Sequence, residues 1–237
     1  MMCVSAQADI VVGESIAIDF ESPNAVFGDV GGGTATGTNF NVFDASLADG
    51  ASISIGALTE LTMGGTSAVG LTVDNNLGKD ASLTGVVSGA TTVAPFNVAG
   101  VYDDNWGGAN VGNSGRADFG TLTDGSNIVL TFTGLLDNQL YDLTGGGRFN
   151  NSNFDTVWTS GTTTQTTNST SATDSFVTLS NLATDGSGNL SVTVTRANVQ
   201  LLFSGVQLEA VSVVVPEPSS LALLGFGVVG LLTRRRR

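Results

Sequence analysis

Residues 190–195 read Leu-Ser-Val-Thr-Val-Thr, in which apolar side chains alternate strictly with small hydroxyl side chains. A period of two places the apolar side chains on one face of a β-strand and the polar ones on the other. Similar alternation occurs at 15–20, 39–43, 52–55, 128–132 and 176–179. Residues 69–73 and 81–87 are predicted to form further strands. The sequence therefore predicts a protein built from β-strands.

Turn-forming residues separate these stretches. They include Gly31-Gly32-Gly33, Asp49-Gly50, Gly64-Gly65, Asp124-Gly125 and Asp185-Gly186. Short strands with frequent turn signals are typical of sandwiches and barrels. We predict an all-β fold, an antiparallel jelly-roll-like sandwich, over residues 9–214. Residues 159–175, rich in Thr and Ser, are predicted to form a polar-faced hairpin; the alternative is a linker between two domains.

The composition excludes several classes of function. Charged residues make up 12% of the chain, the net charge is −13 and His is absent. Without His, Ser-His-Asp triads, Cys-His dyads and most zinc sites are excluded. An acidic body repels phosphate groups, so nucleic acid is not an expected partner. The single cysteine, Cys3, lies before the expected start of the mature domain, so we expect no disulfide there.

The first residues have the pattern that ends a signal peptide. Ala6-Gln7-Ala8 has the small-x-small form of a signal-peptidase site, with Asp9 as the first mature residue. A positive region and an apolar stretch do not precede it. We interpret residues 1–8 as the remnant of a signal peptide whose beginning lies upstream of Met1. The alternative is an N-terminal segment that matches the pattern by chance.

The C-terminal segment, residues 215–237, has three parts. They are Pro216-Glu217-Pro218, an apolar run over 221–232, and the terminal cluster Arg234, Arg235, Arg236 and Arg237. The prolines favour an extended, accessible segment. The apolar run is shorter than the ~17–25 residues of an ordinary transmembrane helix, and arginines favour the cytoplasmic side. We predict a short C-terminal transmembrane helix that leaves the body outside the cytoplasm.

This arrangement resembles the PEP-CTERM sorting signal, in which a Pro-Glu-Pro motif precedes a short apolar helix and a basic cluster. The resemblance implies that the chain is an exosortase substrate, with Pro216, Glu217 and Pro218 as the recognised motif and the arginine cluster setting the topology. It also implies an exported protein of the cell envelope, surface or extracellular matrix that is transiently anchored in the inner membrane. A plain membrane anchor is the alternative.

Parts of the body resemble exported β-sandwich proteins that carry such signals. Residues 130–135 and 138–144 are similar to a strand-turn-strand element of those proteins. Residues 185–189, the strand pattern after them and Val206-Gln207-Leu208-Glu209 are similar to their closing part. The resemblance implies a fold similar to galactose-binding-like sandwiches, and it implies no particular ligand.

Two stretches have the residue types of a carbohydrate-binding surface. Asp103-Asp104-Asn105-Trp106 combines carboxylates and an amide with an aromatic ring, which suits a sugar or Ca²⁺. Arg148 precedes several asparagines, and Trp158 follows them. The alternative interpretations are an exposed acidic loop with a packed Trp106, and ordinary β-turns around Arg148.

The evidence for a metal is weaker. Asp185-Gly-Ser-Gly-Asn189 is reminiscent of a calcium loop but lacks the remaining ligands of an EF-hand. A tight turn between strands is the simpler interpretation, since Asp and Asn tolerate unusual backbone angles. We predict no cofactor and no metal site, with Ca²⁺ as a weak candidate at Asp103, Asp104 and Asp185.

Catalysis on polysaccharide would require paired carboxylates. The body contains only four glutamates, and no spacing places two carboxylates on one cleft. They are Glu14, Glu21, Glu60 and Glu209. We expect no enzymatic activity. We expect a structural or adhesive role; the alternative is a carbohydrate-binding module that contacts extracellular polysaccharide through Trp106, Arg148 and Trp158.

Overall fold

A computed structural model describes residues 9–21, 41–44, 46–47, 49–61, 64–78, 81–82, 126–146, 155–168, 174, 176–198, 201 and 205–213. The strands in these residues are β1 (Ser15–Glu21), β2 (Asn41–Asp44), β3 (Ser46–Leu47), β4 (Ser52–Ile55), β5 (Gly70–Asn76), β6 (Ala81–Ser82), β7 (Asn127–Thr133), β8 (Gln139–Gly146), β9 (Thr156–Ser160), β10 (Thr163–Thr166), β11 (Phe176–Ala183), β12 (Leu190–Arg196) and β13 (Gly205–Val213). Within the same residues, no helix has the length and apolar character needed to cross a membrane. The predicted all-β fold is confirmed for this part of the chain.

The strands form two large sheets and one short pair. The first sheet has the order β11-β8-β13-β1-β2, the second has the order β10-β9-β12-β7-β5-β4, and β3 pairs with β6. Neighbouring strands run antiparallel, except that β1 and β2 run parallel. Two antiparallel sheets agree with the prediction, whereas the parallel pair was not predicted.

The predicted strands agree closely with the observed ones. The prediction at 52–55 coincides with β4, and those at 15–20, 128–132, 176–179 and 190–195 lie within β1, β7, β11 and β12. The predictions at 39–43 and 69–73 overlap β2 and β5. The predicted strand at 81–87 is confirmed only for β6, because residues 83–87 lie outside the described ranges. The hairpin predicted over 159–175 is confirmed only in its first part, where it overlaps β9–β10, which begins at Thr156 and ends at Thr166; residues 169–173 and 175 lie outside the described ranges.

Eight strands form four pairs that are nested in the sequence: the first strand pairs with the last, and each further pair lies between the members of the one before it. β1 pairs with β13, β7 with β12, β8 with β11, and β9 with β10. Successive pairs belong alternately to the first and the second sheet. Two further pairings place β13 beside β8 and β12 beside β9. We call this arrangement the nested pairing; it joins the first and last described strands by hydrogen bonds.

Alternation along the strands builds one core between the sheets. On β12, Leu190, Val192 and Val194 are at most 2% exposed, while Ser191 between them is exposed. They belong to the same buried cluster as Ile16 of the first sheet. Burial of each such side chain stabilises the fold by about 1.5–3 kcal/mol. The apolar faces therefore hold the two sheets together.

Hydroxyl side chains that are bonded across strands cover part of the outer faces. The pairs are Thr131 with Ser191 (3.0 Å), Ser54 with Thr72 (2.7 Å), Thr144 with Thr178 (2.8 Å) and Thr159 with Thr164 (3.2 Å). The two residues of each pair stand directly opposite each other in the strand register. Such opposed pairs contribute roughly 0.2–1 kcal/mol each. They let a chain with few charges present a polar surface.

The strand directions bring both ends of the described chain to one end of the sandwich. β13 finishes at Val213, which pairs with Gln139 at the start of β8, and β1 begins opposite Glu209 of β13. The connections 134–138 and 184–189 lie at this end too, since β8 and β12 begin there. We call it the tail end. The opposite end, where β8 and β12 finish and β13 begins, is called the loop end.

Candidate functional site

The segment that precedes β1 is fastened to the end of β13. The backbone N–H of Gly13 donates to the carbonyl of Ala210 (2.8 Å), and the N–H of Ala210 donates to the carbonyl of Glu14 (3.0 Å). The side-chain Nε2 of Gln139 donates to the carbonyl of Ile10 (2.8 Å), and Ile10 itself is buried. The segment from Ile10 onward is thus part of the tail end.

Three valines are exposed at the tail end. Val11 is 50% exposed, Val12 47% and Val213 48%, and they are the exposed large apolar side chains in the described part of the chain. Val11 and Glu14 close a turn, in which the N–H of Glu14 donates to the carbonyl of Val11 (2.8 Å). We call these three side chains the valine surface. This surface was not predicted from the sequence, although the Val-Val pair directly before Gly13 does not alternate with polar residues.

Among the described strands, the last residues of β13 are paired with a strand on one side only, namely β8. β13 pairs with β8 as far as Val213 but with β1 only as far as Glu209. The β8 register also shifts between Ala210 and Ser212, which is the mark of a β-bulge. Of the strands that the structure describes, only β8 is therefore hydrogen-bonded to the strand end from which the chain leaves the sheet.

The predicted processing residues lie outside the described ranges. Pro216, Glu217, Pro218 and Arg234, Arg235, Arg236 and Arg237 follow Val213, and Ala6 and Ala8 precede Asp9. The residues at which the described chain begins and ends, Asp9 and Val213, nevertheless both belong to the tail end. The signal-peptide remnant, the short transmembrane helix and the proposed cleavage positions stay predictions.

A shallow pocket opens beside the N-terminal segment. Its lining residues include Asp9, Glu14, Glu60 and Ser67, and its volume is about 80 Å³. The Glu60 side chain is only 5% exposed, and its Oε1 accepts a hydrogen bond from the N–H of Ser15 (3.4 Å). Pockets that enclose small molecules usually have ~300–1,000 Å³. In the described part of the chain, no group of three or more His, Cys, Asp or Glu residues is arranged to hold a metal ion.

Trp158 lies in the core and not on a surface. Its side chain has 0% exposure, and its indole Nε1–H donates to the hydroxyl of Thr156 (2.9 Å). A Cβ atom on Gly145 of the facing sheet would lie 2.5 Å from two carbons of the indole ring. The prediction that Trp158 contributes to a ligand surface is therefore wrong, because the ring fills the space above a glycine between the sheets. Trp106 and Arg148 lie outside the described ranges.

Asp185 organises the connection between β11 and β12. Its carboxylate accepts hydrogen bonds from the N–H of Ser187 (2.8 Å), the N–H of Asn189 (3.1 Å) and the Nδ2 of Asn189 (3.0 Å). The side-chain bond from Asn189 and the backbone bonds from Ser187 and Asn189 lower the pKa of Asp185. A carboxylate with these donors acts as the centre of a tight turn. The other weak calcium candidates, Asp103 and Asp104, lie outside the described ranges.

Asp137 ties this turn to the neighbouring connection. Its Oδ1 accepts hydrogen bonds from the N–H of Gly188 (2.8 Å) and the hydroxyl of Thr184 (2.5 Å). The N–H of Leu135 in turn donates to the carbonyl of Gly188 (3.0 Å). The connections 134–138 and 184–189 are thus hydrogen-bonded to each other at the tail end.

Comparison with known proteins identifies the segment that follows β13. No curated protein and no solved structure matches the chain. A family model described as the PEP-CTERM protein-sorting motif matches residues 214–237, one residue earlier than the predicted start. The match confirms the resemblance seen in the sequence and implies export to the cell envelope or surface. Directly after the last strand of its sandwich, the chain carries a PEP-CTERM protein-sorting motif, the signal of an exosortase substrate.

Proposed function

We propose that this protein is an exported β-sandwich that an exosortase processes at the cell membrane, and that it then serves as a structural or adhesive component of the cell surface or extracellular matrix. The observation that carries the proposal is the sorting motif at residues 214–237, which begins where β13 ends. In this proposal the apolar run holds the chain in the inner membrane until cleavage. The sandwich itself performs no catalysis.

The nested pairing supports a more specific description of the sandwich. Four antiparallel pairs that alternate between two sheets are what results when one long hairpin is rolled up, which is the architecture of a jelly roll. The pairs β1–β13, β7–β12, β8–β11 and β9–β10 fit that architecture. We infer a jelly roll similar to the galactose-binding-like sandwiches, extended at sheet edges by β2, β4 and β5.

The described surface supports a structural or adhesive role. Opposed hydroxyl pairs such as Thr131 with Ser191 and Ser54 with Thr72 cover part of the outer faces with uncharged polar groups. Uncharged hydroxyl groups exchange hydrogen bonds with water and with hydrated polymers at small net cost. Broad faces of this kind suit a component that is packed among matrix polymers.

The sorting step is tested by replacing the motif. The variant Pro216→Ala/Glu217→Ala/Pro218→Ala is compared with Pro23→Ala/Pro95→Ala, which removes the other two prolines of the chain. Both are expressed in the native host, and intact masses are measured in membrane and secreted fractions. We expect the natural chain and the control to lose the residues that follow the motif, and the triple variant to keep them.

The outcomes separate the alternatives. An additional mass on the shortened chain would show covalent attachment, and its absence would show release. A natural chain that keeps all four terminal arginines in the membrane fraction contradicts sorting and indicates a plain anchor. Polysaccharide binding by the shortened chain that disappears in Trp106→Ala would instead favour the carbohydrate-binding alternative over a purely structural role.

A further inference from the structure

We propose that, while the sorting motif holds the chain in the bilayer, the tail end of the sandwich faces the membrane and the valine surface contacts the zwitterionic headgroup region. The loop end then points away from the membrane. This inference rests on the proposed function, because it requires that the apolar run of the motif be inserted. It adds an orientation and a membrane contact, neither of which the sorting motif specifies.

The short segment between β13 and the apolar run, which we call the tether, limits how the sandwich can be placed on the membrane. Residues 214–220 join the last residue of β13 to the apolar run, and they span at most about 25 Å when fully extended. Along β8, which has 8 residues, the sandwich measures about 25 Å from the tail end to the loop end. A tether of that length would have to be fully extended along the sandwich to bring the loop end to the bilayer, which carries the largest cost in chain entropy. The tether therefore favours a sandwich that stands on its tail end or lies on a side.

The valine surface decides between these two arrangements. Val11, Val12 and Val213 are 47–50% exposed, and they belong to the N-terminal segment and to the end of β13, which are hydrogen-bonded to each other at the tail end. By contrast, the described outer faces of both sheets carry opposed hydroxyl pairs. Apolar side chains gain free energy on leaving water, whereas hydroxyl groups do not. The exit end is therefore the surface that gains most from contact with the interface of the bilayer.

Charge limits the kind of membrane that fits. Asp9, Glu14, Asp137 and Asp185 belong to the tail-end segments described above, and Asp137 and Asp185 are exposed there. These carboxylates repel anionic headgroups, and salt screens that repulsion over a distance of about 8–10 Å. The contact thus fits zwitterionic lipid, and anionic lipid should loosen it at low ionic strength.

Site-specific fluorescence tests the orientation in the full chain. The β9–β10 turn lies at the tail end, because β9 begins beside the end of β12 and runs antiparallel to it. In a Cys3→Ser background, Thr162→Cys labels this exposed turn, and Ala197→Cys labels an exposed residue at the loop end. Each labelled protein is reconstituted into phosphatidylcholine vesicles that contain a headgroup spin-labelled lipid. We expect several-fold stronger quenching at position 162 than at position 197. Addition of phosphatidylglycerol at low salt should reduce the quenching at position 162.

A second variant tests the valine contact. Val11→Ser/Val12→Ser/Val213→Ser changes exposed side chains only, so the sandwich should stay folded, which circular dichroism verifies. We expect it to float with the vesicles like the natural chain but to lose most of the quenching at position 162. Unchanged quenching would overturn the valine contact.

Flotation separates a failure of this inference from a failure of the proposed function. A chain that does not float with the vesicles overturns both, because the motif then does not insert. A chain that floats but is quenched equally at positions 162 and 197 lies on its side, and only the orientation is overturned. Stronger quenching at position 197 would place the loop end at the bilayer and overturn the orientation.

Discussion

The hydroxyl group of Tyr141 contacts both the backbone and the side chains of the tail end. It accepts hydrogen bonds from the N–H of Leu136 (2.9 Å) and from Nε2 of Gln139 (3.2 Å), and it donates to the carbonyl of Leu136 (3.3 Å). The same Gln139 side chain also binds the carbonyl of Ile10. One buried phenol therefore links the β7–β8 connection to the N-terminal segment. A tyrosine that bonds to backbone a few residues upstream is a recurrent device of β-sandwiches.

Replacement of this phenol should weaken the fold and change its pH dependence. Tyr141→Phe leaves the N–H of Leu136 without its acceptor, which costs about 1–3 kcal/mol of unfolding free energy. Burial raises the pKa of Tyr141 above its ordinary value of 10.0, so above that pH the folded state keeps a proton that the unfolded state loses. The Tyr141 contribution is therefore complete below pH 10.0 and is lost as the pH rises through the folded-state pKa.

Urea unfolding at neutral pH and above pH 10 measures both effects. The matched control is Tyr102→Phe, which changes the only other tyrosine of the chain. The alkaline loss of stability should be smaller in Tyr141→Phe than in the natural protein. An equal alkaline loss in both proteins would show that another group titrates.

Individual strands are the level at which the sequence was most informative. The alternation at 52–55 and 190–195 was enough to locate β4 and β12, because a period of two has a direct structural meaning. Alternation does not say which strands pair with each other. The pairing of β1 with β13, for example, depends on contacts between opposite ends of the chain. The parallel β1–β2 pair has no local signal either.

Trp158 shows the same limit for the candidate site. Aromatic and amide residues near Arg148 suggested a surface, but Val157, Trp158 and Thr159 form part of an alternating strand. Alternation alone does not say which face of β9 is inside. The deciding neighbour is Gly145, on a strand of the other sheet. The sorting motif, in contrast, was predictable because all of its parts are contiguous in sequence.

The contact between β8 and β9 predicts the effect of a single methyl group. Gly145→Ala places a Cβ atom 2.5 Å from the ring of Trp158, and overpacking of this kind costs about 1–3 kcal/mol. The control Gly56→Ala adds a methyl group with no heavy atom within 4 Å, so its change should stay within about 0.5 kcal/mol. Urea midpoints measure both.

A double variant tests the assigned cause. Trp158→Phe in the Gly145→Ala background provides a smaller ring and should recover part of the lost unfolding free energy relative to the sum of the two single changes. Additive effects would indicate that the methyl group disturbs the β8 backbone and not the indole ring.

The whole sandwich depends on its last strand. β13 is hydrogen-bonded to β8 on one side and β1 on the other, and it contributes Val206, Leu208 and Ala210 to the core. The sorting motif begins only after this strand is complete. The last residue of β13, Val213, thus stands immediately before the first residue of the signal.

Two truncations test that boundary. A chain of residues 9–213 should fold, because it keeps every described strand, whereas residues 9–204 lack β13 and should not form a cooperative core. Thermal unfolding monitored by near-ultraviolet circular dichroism distinguishes the two. A non-cooperative transition in 9–213 would mean that residues beyond Val213 contribute to the fold.

The nested pairing also has a consequence for the time at which the protein becomes folded. A chain that crosses a membrane N-terminus first delivers β1 early, yet the antiparallel partner of β1 is β13, the final strand to emerge. Contacts between such distant parts of a chain form slowly, because a long loop must close before they are made. Until β13 arrives, β1 and β8 expose edges that can pair with other chains. Completion of the sandwich therefore has to wait for the strand that directly precedes the sorting motif.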